Sequence, residues 1–65
     1  MREVIDRLGR TIDFDAAMNL ADPDLCEELE AKLCGCSDQE IFVTYAEAHA
    51  ARFGEFFAPY FSGEW

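Results

Sequence analysis

Three cysteines and a single histidine, Cys26, Cys34, Cys36 and His49, are the residues of this chain with the most specific potential chemistry. Together they make a Cys3His donor set, and a zinc ion held there would staple a domain too small to rely on its core alone. Their spacing argues against that use. Structural zinc sites place two to four residues between paired cysteines, whereas Gly35 alone separates Cys34 from Cys36. Cys26 lies along a leucine face and His49 on an apolar stripe, where a hydrogen-bonded core histidine is the simpler role. A Cys34–Cys36 disulfide would be strained and redox-labile, and Cys-x-Cys is a weaker redox signature than Cys-x-x-Cys. The expectation is no metal and no other cofactor.

Catalysis is not expected either. The chain has two serines, neither in a nucleophile-elbow context, one histidine, and no glycine-rich phosphate loop. A chain of 65 residues also has little room for a concave pocket that excludes water.

Charge is the more informative chemistry. Fourteen Asp and Glu face five Lys and Arg, for a net charge of -9. Such a surface repels nucleic acid and anionic membranes and suits a basic protein. Asp22, Asp24, Glu27, Glu28 and Glu30 put five acids within nine residues, with Asp13 and Asp15 upstream. Helical acids at i, i+3 and i+4 stand about 5–6 Å apart at Cβ, a spacing comparable to that of phosphates along a nucleic-acid strand. They could form a ridge that occupies the nucleic-acid groove of a basic partner. A solvated helix face, kept for solubility, is the competing use of the same residues.

The C-terminal tail offers a second mode of binding. Six of the last thirteen residues are aromatic. Phe56, Phe57, Tyr60, Phe61 and Trp65 are the residue types of interface hot spots, so a protein-interaction module or a homodimer built on them is the alternative. A tail of this kind either folds back onto the helices or exposes an apolar patch, and fold-back of part of it is expected.

These groups need elements to position them. The expected fold is mainly α (α+β), one domain over residues 1–65, with a short N-terminal β-hairpin packed on two to three helices. Val4-Ile5 and Thr11-Ile12 flank a turn in which Gly9 can take positive φ; an N-terminal helix ending at Leu8 is the rival reading. Asp13 or Asp15 can cap a short helix through residues 16–21. Asp22 caps a second helix from Pro23 to about Leu33, where Lys32 can pair with Glu28. Ser37 and Glu40 form a capping box for a long third helix ended by Gly54, with Arg52 in its last turn. Its stripe of Phe42, Tyr45, Ala46, His49 and Phe53 follows the spacing of a helix buried on one side. The expected core is Ile12, Phe14, Leu20, Leu25, Leu29, Leu33, Ile41, Phe42, Tyr45 and Phe53. No run approaches the roughly 18 apolar residues of a membrane span. No apolar signal-peptide region follows Met1-Arg2-Glu3, so a cytoplasmic protein with reduced thiols is expected.

The run from Ile12 to Asp22, with Gln39-Glu40-Ile41-Phe42, Tyr45, His49 and Arg52-Phe53-Gly54-Glu55-Phe56-Phe57, resembles a group of small acidic proteins encoded in phages and mobile elements of gut Firmicutes. The resemblance covers most of the chain and brings no active site with it. It implies an inhibitor of host defence, of the anti-CRISPR or anti-restriction kind. The expected function is thus a non-enzymatic, nucleic-acid-mimicking inhibitor that binds a basic, nucleic-acid-binding bacterial defence protein through Asp22, Asp24, Glu27, Glu28 and Glu30.

Overall fold

Two β-branched pairs separated by a glycine-containing turn fold as a hairpin. The computed structural model describes residues 2–61. Strand β1, Glu3–Ile5, and β2, Thr11–Asp13, pair antiparallel in the register Glu3↔Asp13, Val4↔Ile12, Ile5↔Thr11. The rival N-terminal helix is not adopted. Gly9 has φ of 83°, the left-handed conformation that the turn requires. Asp6 organises that turn from a buried position. Its Oδ1 accepts the N–H groups of Leu8 (2.9 Å) and Arg10 (3.0 Å), and its Oδ2 accepts the Arg10 guanidinium at 2.7 Å.

The free edge of β1 is closed by one side chain. Ile5 N–H donates to Gln39 Oε1 at 2.7 Å, and Gln39 Nε2 donates to the Ile5 carbonyl at 2.8 Å. The amide thus stands in for a neighbouring strand, which limits pairing with another chain.

Helix α1, Phe14–Met18, starts at Asp13, whose Oδ1 accepts Asp15 N–H at 3.3 Å. The sequence predicts helix through Ala21, but it stops at Met18. Pro23 requires an extended residue before it, and Asp22 is extended as the next N-cap. The chain must therefore turn between the two helices, through bonds from Leu20 N–H to the Ala17 carbonyl and from Ala21 N–H to that of Met18.

Helix α2 is Pro23–Leu33 and α3 is Asp38–Phe53, joined by a turn in which Gly35 has φ of 85°. Ser37 Oγ accepts Glu40 N–H at 3.2 Å and donates to Glu40 Oε1 at 3.2 Å. Gly54, at φ 71°, ends α3 with a bond to the Ala50 carbonyl. The tail then folds back into α4, Ala58–Phe61, where Pro59 stands early in the helix and lacks only an N–H that the first turn does not use.

The core is Val4, Phe14, Ala17, Leu25, Leu29, Phe42, Tyr45, Ala46 and Phe57. Ile12, Leu33 and Ile41 pack half-buried against it. Two expected core residues are corrected. Leu20 is 55% exposed and Phe53 43% exposed. Leu20 falls on the turn that replaces the end of the expected helix. Phe53 is displaced by Phe57, whose ring packs 4.6 Å from Tyr45 and 5.5 Å from His49. No helix among the described residues is long and apolar enough to cross a membrane.

Candidate protein-binding surface

All five residues of the acidic set belong to α2 or its cap. Asp22 is the N-cap, its Oδ1 accepting Leu25 N–H at 3.0 Å. Leu25 and Leu29 turn inward, and Asp24, Glu27, Glu28 and Glu30 are exposed. At 3.6 residues per turn, Asp24, Glu27 and Glu28 share the outward face and Glu30 lies on its flank beside Cys26.

The fold also decides where the cations go. Arg2 binds Asp38 and, at 3.3 Å, Asp15. Its guanidinium holds the Asp38 carboxyl below its ordinary pKa, and Asp38 raises that of Arg2. Arg10 pairs with Asp6, and Arg7 Nε donates to the Phe61 carbonyl at 3.1 Å with its guanidinium over the Phe61 ring. Arg52 binds Glu28, whose hydrogen bond raises the Arg52 pKa, with smaller contributions from Asp22 and Asp24. Glu28 therefore meets Arg52 across the helix pair, where the sequence spacing predicted Lys32. Upstream, Asp13 is engaged as a cap and Asp15 by Arg2, so neither extends the ridge as an unpaired charge. Among the described residues, Asp24, Glu27 and Glu30 have no ion-pair partner.

The soft-ligand set is not assembled. Cys26 is half-buried, and burial, then the charge of Asp22, pushes its thiol pKa up. Cys36 Sγ donates to the Lys32 carbonyl at 3.6 Å, Cys34 is exposed, and all three thiols are free. His49 Nδ1 lies 2.9 Å from the Glu55 carbonyl. A carbonyl only accepts, so Nδ1 is the donor, and this bond ties the returning chain to α3. No group of three or more His, Cys, Asp or Glu among the described residues is placed to hold a metal ion.

The aromatic tail divides. Phe57 is 2% exposed and belongs to the core, Tyr60 and Phe61 are half-buried, and Phe56 is 68% exposed, stacked on Phe61 at 4.2 Å. Trp65 lies outside the described residues.

An open cleft of about 420 Å³ is lined by Leu20, Asp22, His49, Phe53 and Glu55. Its residues come from the α1–α2 corner and the end of α3, which only the tertiary fold brings together. The signal in the sequence was indirect: Leu20 lies two residues before the acid Asp22, and Phe53 directly before the turn residue Gly54.

Comparison with protein families matches residues 5–57 to the family described as anti-CRISPR protein AcrIC5. Comparison with curated proteins gives no match. The matched segment runs from β1 to Phe57, the last ring of the core, and contains every residue of the acidic set and of the cleft.

Proposed function

Since the chain belongs to the AcrIC5 family of anti-CRISPR proteins, we propose that it inhibits a CRISPR effector by binding alone, presenting the outer face of α2 to a basic nucleic-acid-binding surface. The observation that carries this reading is the distribution of charge. Four of the five cations are turned onto the protein itself, while Asp24, Glu27 and Glu30 stand exposed on one helix. A rigid helix holds these carboxylates at fixed spacing, so they can replace phosphates in a groove lined by Lys and Arg without the entropy loss of ordering a loop. Association driven this way is fast and falls steeply with salt. The partner is then a protein, with neither nucleic acid nor membrane bound directly, and the site of action is the cytoplasm of the infected cell.

The test is binding to a purified CRISPR effector that the protein inhibits, measured with and without target DNA over a series of salt concentrations. Target DNA should compete with the protein. Asp24→Lys, Glu27→Lys and Glu30→Lys combined should abolish binding. Undiminished binding by that variant, with its fold verified by circular dichroism, overturns the proposal.

The aromatic tail supports a second reading less well. Its largest buried ring, Phe57, is part of the core, which leaves Phe56 as the prominent exposed aromatic among the described residues.

A further inference from the structure

The cleft at the end of α3 shares Asp22 with the acidic set, and its composition is specific. Leu20 and Phe53 supply aliphatic and aromatic surface that remains open to water. Two acidic residues, Asp22 and Glu55, line the same space with His49, and Asp22 Oδ1 also accepts Leu25 N–H as the N-cap of α2. His49 is held in place by the bond from its Nδ1 to the Glu55 carbonyl. Arg52, the nearest cation in sequence, is turned onto Glu28. The cleft therefore combines a ring, an apolar wall and two acidic residues, with no Lys or Arg among its lining residues.

That combination complements one side chain. An arginine has an apolar stem for Leu20, a planar cation that stacks on an aromatic face such as Phe53, and N–H donors for carboxylates. A lysine ammonium is a compact, strongly hydrated charge that stacks poorly. An apolar side chain would leave the negative charge of Asp22 and Glu55 unpaired, and an anion would be repelled by both.

We infer that this cleft receives an arginine side chain projecting from the basic partner. Asp22 belongs both to the cleft and to the acidic set on α2, so the two sites are continuous. Charge attraction by itself sets no register, whereas one anchored arginine does. The inference rests on the reading of the chain as a binder of a basic protein surface, and adds to it a named anchor.

The experiment uses N-acetyl-arginine N′-methylamide titrated into isotope-labelled protein and followed by NMR, with the citrulline counterpart as a neutral isostere. Millimolar binding is expected, with shifts centred on the Leu20 methyls and the Phe53 ring. Citrulline should bind about tenfold more weakly, because its urea group lacks the charge that strengthens each hydrogen bond. Phe53→Ala should weaken arginine several-fold while leaving the amide spectrum of the core unchanged. Shifts confined to Asp24, Glu27 and Glu30, or equal binding of citrulline, overturn the inference. The outcome is separable from that of the acidic-face proposal. Arginine seating in the cleft while the α2 charge reversals leave effector binding intact would remove the mimic and keep the cleft.

Discussion

Tyr45 fixes the start of α2 from the side of α3. Its ring is fully buried and its hydroxyl accepts the backbone N–H of Asp22 at 2.7 Å. Burial, as the largest cause, pushes the Tyr45 pKa up, so the phenol stays neutral through the physiological range. Tyr45→Phe keeps the ring and orphans that N–H, which should cost about 1–3 kcal/mol. Urea denaturation measures this, and a loss well below that range would mean that water replaces the hydroxyl. Asp6 makes a pH-dependent contribution. Burial pushes its carboxyl up, but the N–H groups of Arg10 and Leu8 and the Arg10 guanidinium outweigh burial and hold it below the ordinary carboxylate range. A depressed pKa stabilises the fold above the unfolded value, about 3.9, and that contribution is lost as pH falls through the folded value. The melting temperature of the native protein should therefore exceed that of Asp6→Asn at pH 7, and the gap should close on acidification below about pH 4. A gap that is constant across the titration would show that Asp6 acts through shape rather than charge.

At the scale of elements, the consequential pairing is α2 with α3. It buries Leu25 and Leu29 against Phe42 and Tyr45 and also sets Arg52 against the acidic helix. Arg52 masks part of the face that would meet a basic partner. Arg52→Gln should expose Glu28 and strengthen the negative potential beside Asp22 and Asp24. Association with the effector should then accelerate and its dependence on salt steepen, as read by stopped-flow mixing at three ionic strengths. Unchanged kinetics would indicate that this face does not lead the encounter. The hairpin meets α3 differently, through the Gln39 amide closing the edge of β1, beside the Arg2–Asp38 ion pair that ties the residue before β1 to the start of α3.

For the whole molecule, size makes the tail decisive. A domain of this length has a net stability of roughly 3–10 kcal/mol, at 0.05–0.15 kcal/mol per residue. Truncating a buried Phe costs about 3–5 kcal/mol. Phe57→Ala should therefore remove most of the stability and leave a broad, non-cooperative or absent unfolding transition. Phe56→Ala, one residue earlier but exposed, should stay within about 0.5 kcal/mol of the native protein. Equal effects of the two would contradict the burial seen here. Phe57 also limits how the tail can bind anything else, because a ring that closes the core cannot be offered to a partner without unfolding.

The local elements were legible in the amino-acid sequence because their determinants are local. Ser37 and Glu40, Asp22 and Pro23, and the positive-φ residues Gly9 and Gly54 act within one turn of the backbone, and they delimit the hairpin and the two main helices. The -9 charge and its concentration on α2 were equally plain, since charge is additive along a chain. Tertiary structure alone decided which apolar residues fill the core and which acids stay unpaired. Phe53 and Phe57 both suit the same stripe, and the return of the chain past Gly54 selected Phe57. Glu28 could reach Lys32 on its own helix, yet the crossing of α3 placed Arg52 nearer. Both are competitions between residues distant in sequence for one position in space, so local spacing could not rank them, and the cleft of Leu20 and Phe53 is what that selection left at the surface.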